Sequence, residues 1–205
     1  ASVRPEFAMD IQEFESIVNK SSNLNLEQFE VVAQSVRIPA LAREIGSSKQ
    51  YFTNLSVRSV DDIYMRTTLL EFVRVHPDYR GDPSIVWNAL AANPSLAVAS
   101  SSALPTDDPF APAIRSNLEL DSIDIESEKD YWPEDGISLE VLSRQGTGEP
   151  VEVEIIGIID SLADQQDFSR SVYIVTSESV GNSLIPDLQG YDTYRIRLSS
   201  GVLAS

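Results

Sequence analysis

His76 is the only histidine of the chain and the one side chain suited by type to neutral-pH general base work. It lies in Arg74-Val-His76-Pro77-Asp78-Tyr79, with a carboxylate two residues on. A single imidazole leaves two-histidine metal sites out of reach. No G-x-S-x-G elbow supplies a serine for it to activate. A Ser-Lys dyad would have to use Lys20, Lys49 or Lys129, each in a polar stretch that predicts exposure. His76 therefore reads as structural or solvated, not catalytic.

Carboxylates are plentiful but badly patterned for chemistry. Asp61-Asp62, Asp107-Asp108 and Glu134-Asp135 are adjacent pairs of the kind that cap helices and fill turns, not glycosidase pairs. Asp121-Ser-Ile-Asp124-Ile-Glu126-Ser-Glu128 offers oxygen ligands for Ca²⁺. It lacks the glycine of an EF-hand loop, and its alternation with Ile123 and Ile125 reads as a solvated strand face. There is no phosphate-cradling G-x-x-x-x-G-K-[ST] or G-x-G-x-x-G, and Gly146-x-Gly148 runs into Glu149-Pro150. With zero cysteines, thiolate metal sites and cysteine nucleophiles are excluded. The expectation is a chain that is not an enzyme, with no catalytic, cofactor-binding or metal residues. Trp87 reads as core; Trp132, in Asp130-Tyr-Trp132-Pro-Glu-Asp, packs beneath an acidic loop or forms a contact site there.

The elements are a mixture. Asp10 caps a helix over about 10–20 carrying Ile11, Phe14, Ile17 and Val18. Asn25 and Gln28 imitate a capping box, but Val31, Val32, Val36, Ile38 and Pro39 argue for a strand over 29–43. Tyr51–Val60 alternates and is its hairpin partner across the Gly46-Ser-Ser turn. Asp61 or Asp62 caps a short helix with Ile63, Tyr64, Leu69 and Leu70, and a loop with His76 follows. Asp82 with Pro83 opens a helix that presents Ile85, Val86, Trp87 and Leu90 and ends near Asn93-Pro94. Leu96–Ser100 is a short buried strand.

Residues 105–136 hold ten acids against Arg115 and Lys129, punctuated by Pro105, Pro109, Pro112 and Pro133. This is an acidic excursion or second lobe around one strand near Leu118–Ile125. Strands follow at Ile137–Arg144, Val151–Ile159, Ser171–Thr176 and Tyr191–Leu198, with a short helix at Ser177–Leu184 and a turn at Gly146-Thr-Gly148. The alternation of Val151-Glu-Val-Glu-Ile155 gives way to the continuous Ile156-Gly-Ile-Ile159, a strand passing from half-exposed to buried. The fold class is α+β, with mixed and antiparallel sheets, short packed helices and one or two lobes.

At 205 residues the chain can bury a core without staples. Its net charge of −17 falls mostly in the second half, where residues 105–205 carry 20 acids and 6 bases. Such a field opposes nucleic acid, whose binding needs clustered Lys and Arg, and an anionic membrane surface. No stretch is apolar enough to span a bilayer. The start, Ala1-Ser-Val-Arg-Pro-Glu-Phe-Ala, has neither an initiating Met nor a signal-peptide core, which reads as a piece cut from a longer chain.

Three segments carry a family likeness. Asp78-Tyr-Arg-Gly-Asp-Pro-Ser-Ile-Val-Trp87-Asn-Ala-Leu90-Ala-Ala-Asn-Pro94-Ser-Leu96-Ala-Val98 resembles the extracytoplasmic domain of FtsX-like ABC transporter permeases, of the MacB-like periplasmic core type. There a Trp- and Leu-bearing helix leads through a proline turn into a Leu-Ala-Val strand. Val151-Glu-Val-Glu-Ile-Ile-Gly157-Ile-Ile is similar to the family's strand ending in an Ile-Gly turn, and Tyr194-Arg-Ile-Arg-Leu-Ser-Ser-Gly201-Val to its last strand. The resemblance covers about 28–202. It implies a non-catalytic domain outside the cytoplasm. Its partners would be the permease's own membrane helices, a cytoplasmic ATPase reached through them, and an external client. The competing expectation is a free-standing extracellular binding or adhesion module.

Overall fold

The computed structural model describes residues 2–3, 9–20, 29–48, 51–67, 70–105, 118–123, 130–145, 148–160, 172–186, 188 and 190–198. Among them are nine strands and four helices: β1 (Ser2–Val3), α1 (Ile11–Lys20), β2 (Phe29–Glu44), β3 (Thr53–Val60), α2 (Asp62–Thr67), β4 (Phe72–Val75), α3 (Pro83–Ala92), β5 (Leu96–Ser100), β6 (Ser138–Ser143), β7 (Val151–Ile159), β8 (Tyr173–Ser177), α4 (Glu178–Leu184) and β9 (Thr193–Leu198). The class is α+β with a mixed sheet, as expected.

Pairing closes part of the sheet on itself. β2 pairs β3, β3 runs parallel to β8, β8 pairs β5, β5 runs parallel to β7, β7 pairs β6, and β6 returns to β2. A ring this narrow leaves little interior width, so its inward positions must be filled by few and partly small side chains. Ala40, Ala42, Ala97 and Ala99 are fully buried inside it beside Ile38, Val57, Leu139, Val153, Ile155 and Ile174. The outer face of β5, β7 and β8 is apolar too. Val98, Ile156 and Val175 there pack under Val86, Trp87 and Leu90 of α3 and Tyr64 and Met65 of α2.

β7 serves both faces through a bulge. Its register with β5 slips beside Ala97 and Val98, leaving Ile156 unmatched. The extra residue flips the side-chain parity. Val153, Ile155 and Ile158 therefore point into the ring while Ile156 and Ile159 join the outer cluster. The switch from alternating to continuous hydrophobicity in the sequence is this bulge as well as deeper burial. Gly157 is no turn: it lies within β7, where a Cβ would stand 2.9 Å from the Phe72 ring.

Beyond the ring, β2 continues as an arm. Pairing with β3 begins only at Ser35, while residues 29–35 pair β9, and β9 pairs β1. Along the same edge β6 takes over from Ala40 to Glu44. Between the two partners lies a seam at 36–39. There the Arg37 amide donates to the Asp192 carboxylate at 2.8 Å, and Pro39 O accepts from the Arg144 amide at 3.0 Å. An extended residue turns its N and O to one side, so the N–H that Pro39 lacks would have faced this seam, where no strand waits. A proline thus sits inside a 16-residue strand without breaking a ladder.

Several expectations need correction. No strand occurs at 118–123: the Leu118 amide donates to Asn54 O, that of Leu120 to Ala103 O, and residues 121–122 turn. Leu118, Leu120 and Ile123 are buried together because they plug the ring's mouth, with a different partner for each amide. The rest of the expected strand, and most of the Ca²⁺ run, lies outside the described residues. The loop expected around His76 contains β4, a short edge strand on β7, and α2 ends at Thr67, before Leu70. Ile85 of α3 faces solvent.

Candidate functional site

His76 follows β4. Its amide donates to Ile156 O at 3.0 Å, and its Nδ1 accepts the Asp78 amide at 3.2 Å, capping the 3₁₀ turn Pro77–Tyr79. The ring is edge-on to Trp132 at 5.7 Å and tilted against Tyr79 at 5.6 Å. Arg74 Nη1 donates to Tyr131 O and Arg80 Nη2 to Asp130 O. These groups clamp the 130–132 segment onto β4, and Trp132 is buried beneath it. The imidazole is used as a cap and a packing surface.

The other candidates scatter. Asp61 caps α2, its Oδ1 accepting the Tyr64 amide at 2.6 Å. Asp62 is exposed in the first turn of α2, and Glu134 and Asp135 fall in a turn. Lys20 ends α1, exposed. Asp107, Asp108, Lys49 and Lys129 lie outside the described residues. Among the described residues no three His, Asp or Glu side chains are grouped to hold a metal ion.

Electrostatic perturbation gathers at a different place, the corner where α1 and β9 meet α2 and α4. Asp61 is pinned between elements: its Oδ2 accepts the Gln34 amide at 3.0 Å while its own amide donates to Gln34 O at 3.2 Å. Burial pushes its carboxyl above the ordinary aspartate value; the bonds from Tyr64 and Gln34 oppose this, and the charges of Glu178 and Asp62 add to it. Tyr191 donates its hydroxyl to Glu178 Oε1 at 2.6 Å. Burial first, and then that bond and charge, raise the phenol well above its usual range. Burial, with the nearby charges of Asp10 and Glu13, pushes Tyr194 up to about 12.

The same residues fasten α1. Met9 and Tyr191 exchange both backbone bonds, at 3.0 and 2.7 Å, and the Tyr194 hydroxyl donates to Met9 O. The Phe14 and Tyr194 rings stack with centroids 4.1 Å apart. The Asp10 carboxylate accepts the Glu13 amide at 2.8 Å, the expected N-cap. Phenols held this high stay protonated at neutral pH and act as donors, not nucleophiles. With both Asp61 oxygens occupied by amides, the corner is built to join elements. Sequence reading found Asp61 only as a cap and missed Glu178, Tyr191 and Asp192, which are separated from it by more than a hundred residues.

No family model matches the chain, and no curated protein matches it. Two solved structures are similar over 98% of its length. One is the periplasmic region of MacB from Actinobacillus actinomycetemcomitans, at TM-score 0.46 and 10% identity over 69% of that chain. The other is the extracellular domain of the noncanonic ABC-type transporter YknZ from Gram-positive bacteria, at TM-score 0.44 and 11% identity over 85% of that chain.

Proposed function

We propose that the chain is the extracytoplasmic domain of an ABC transporter permease subunit. It relays ATP-driven movement of membrane helices to an external substrate or partner and catalyses nothing itself. The observation that carries this reading is the arm. The first and last described strands, β1 and β9, lie side by side, with Ser2 opposite Arg195, and β9 is stitched to the strand that runs on into the ring. A displacement applied at this arm enters the packed body through β2. The segments that resemble FtsX-like permeases fall on α3 and β5, on β7, and on β9, which are parts of the body and of the arm. The perturbed groups at the corner serve the joint between them.

The partners on this reading are the permease's own membrane helices, a cytoplasmic ATPase subunit reached through them, and a client outside the cell membrane. Among the described residues no helix is long and apolar enough to cross a membrane, so the spans would have to come from elsewhere in the parent chain. The test is the parent protein. Apolar spans of roughly 18 residues or more on either side of this sequence are expected. In vesicles with its ATPase, removing this domain should abolish transport or client activation while ATP hydrolysis persists. A parent without spans, or transport unaffected by the deletion, overturns the reading.

A further inference from the structure

β2 is the one described strand that belongs to both the arm and the ring. Its 16 residues make a contour on the order of 50 Å at roughly 3.3 Å each. The near end is paired with β9, and on that side the seam at 36–39 is held by Asp192 and Arg144. The far end is fixed firmly. Arg43 lies opposite Glu140 of β6 in register and meets its carboxylate at 2.6 Å. The last residue, Glu44, is a buried carboxylate, 7% exposed.

Burying a carboxylate is costly unless its oxygens are satisfied. Both Glu44 oxygens are used, and both by the same turn: Oε2 accepts the Asp121 amide at 2.7 Å, and Oε1 accepts the Ser122 hydroxyl. Ser47 adds a hydroxyl to the Asp121 carboxylate at 2.7 Å. That turn belongs to the 118–123 segment, whose Leu118, Leu120 and Ile123 stop the mouth of the ring. Leucines and isoleucine alone would seat such a stopper. A buried charge adds a directional clasp, and it stands at the end of the strand that begins in the arm.

We propose that β2 is a single transmitting strand and that Glu44 latches its far end to the 118–123 stopper, so that closure of the arm and closure of the stopper are coupled. The purpose of this coupling, though not its geometry, depends on the relay role proposed above. The two-state element is local opening of the stopper, a sub-global event that amide exchange reads directly.

The chain contains no cysteine, so an engineered pair has no competitor. Glu30 and Arg197 are register partners across β2 and β9, and Glu30→Cys with Arg197→Cys allows the arm to be clamped by oxidation and released by reduction. Hydrogen exchange of the Leu118, Leu120 and Asp121 amides is then followed in both states. Clamping is expected to slow it by about 5-fold or more, the lower range of ordinary allosteric coupling. Adding Glu44→Ala should speed exchange at the stopper and remove the difference between the two states. Should that variant fail to fold, Glu44→Gln, which keeps one acceptor oxygen, and Ser122→Ala, which removes one donor, should each reduce the difference. Equal exchange in clamped and released protein with Glu44 intact overturns the proposal. So does a difference that survives every change at Glu44 and Ser122. Failure of the relay role would show instead as a parent without membrane spans, leaving this exchange result untouched.

Discussion

Among single residues, Trp87 and His76 are the clearest contrast. Trp87 is 2% exposed and its ring lies 5.5 Å from that of Phe72. Trp87→Ala should cost about 3–5 kcal/mol in denaturant unfolding; a loss under about 1 kcal/mol would contradict the burial. His76→Ala removes a cap and an edge contact. On the relay role proposed above, transport or client activation by the parent should survive it, and an inactive but folded variant would point to a reactive role. Asp61 makes a prediction about pH. Burial, above all, holds its folded carboxyl above the ordinary aspartate value of 3.8. Its contribution to stability is thus fully present below the unfolded value and is lost as pH rises through the folded one. Relative to Asp61→Asn, the wild type should lose stability as pH rises above 3.8. A carboxyl titration by NMR should place Asp61 above ordinary aspartates, and Glu178→Gln should move it back toward them. A value at or below the ordinary one would sink the account of the corner.

Among the elements, the helices and most strands were legible because each carries its own signal. Asp10, Asp61 and Asp82 cap the helices that follow them, and 151–155 alternates as a strand should before the apolar run 156–159 continues it. What was not legible depends on distant partners. β4 is four residues long, with an arginine among its apolar residues, and exists because β7 offers it an edge. The 118–123 segment opens with a strand-like alternation at Leu118 and Leu120 but plugs a mouth, which no local pattern can distinguish. Two substitutions test the element-level packing. In Gly157→Ala the new methyl would press into the Phe72 ring at 2.9 Å, so a loss of roughly 1–3 kcal/mol is expected, partly recovered when Phe72→Leu is added. At the seam, Asp192→Ala leaves the Arg37 amide without its acceptor. A cost of about 1–3 kcal/mol should follow, with faster exchange at Arg37. Unchanged exchange there would mean the seam is held by something else.

At the scale of the whole molecule, composition excluded cysteine chemistry more readily than it predicted shape. No residue pattern announces that the pairing closes into a ring, because the closing contacts join Ser56 to Tyr173, Leu96 to Glu154 and Ala40 to Ser143. The alanines at 40, 42, 97 and 99 are the trace of that closure, since a narrow interior needs small side chains among its larger ones. The corner was illegible for the same reason: Asp61, Glu178 and Tyr191 meet only once the ring and arm are assembled.

The antiparallel neighbours β1 and β9 also decide how the molecule answers a pull. The Ser2 end of β1 and the Leu198 end of β9 point the same way. Tension that separates these two ends peels β1 from β9 one bond at a time, like a zipper, because ladder bonds lie across the strands. Tension that draws both ends together instead loads the β2–β9 ladder lengthwise in shear, where the pairs from Phe29–Leu198 to Ser35–Thr193 resist at once. The fold is thus soft to forces that part these two ends and stiff to forces that pull them in concert, a mechanical filter set by strand order alone.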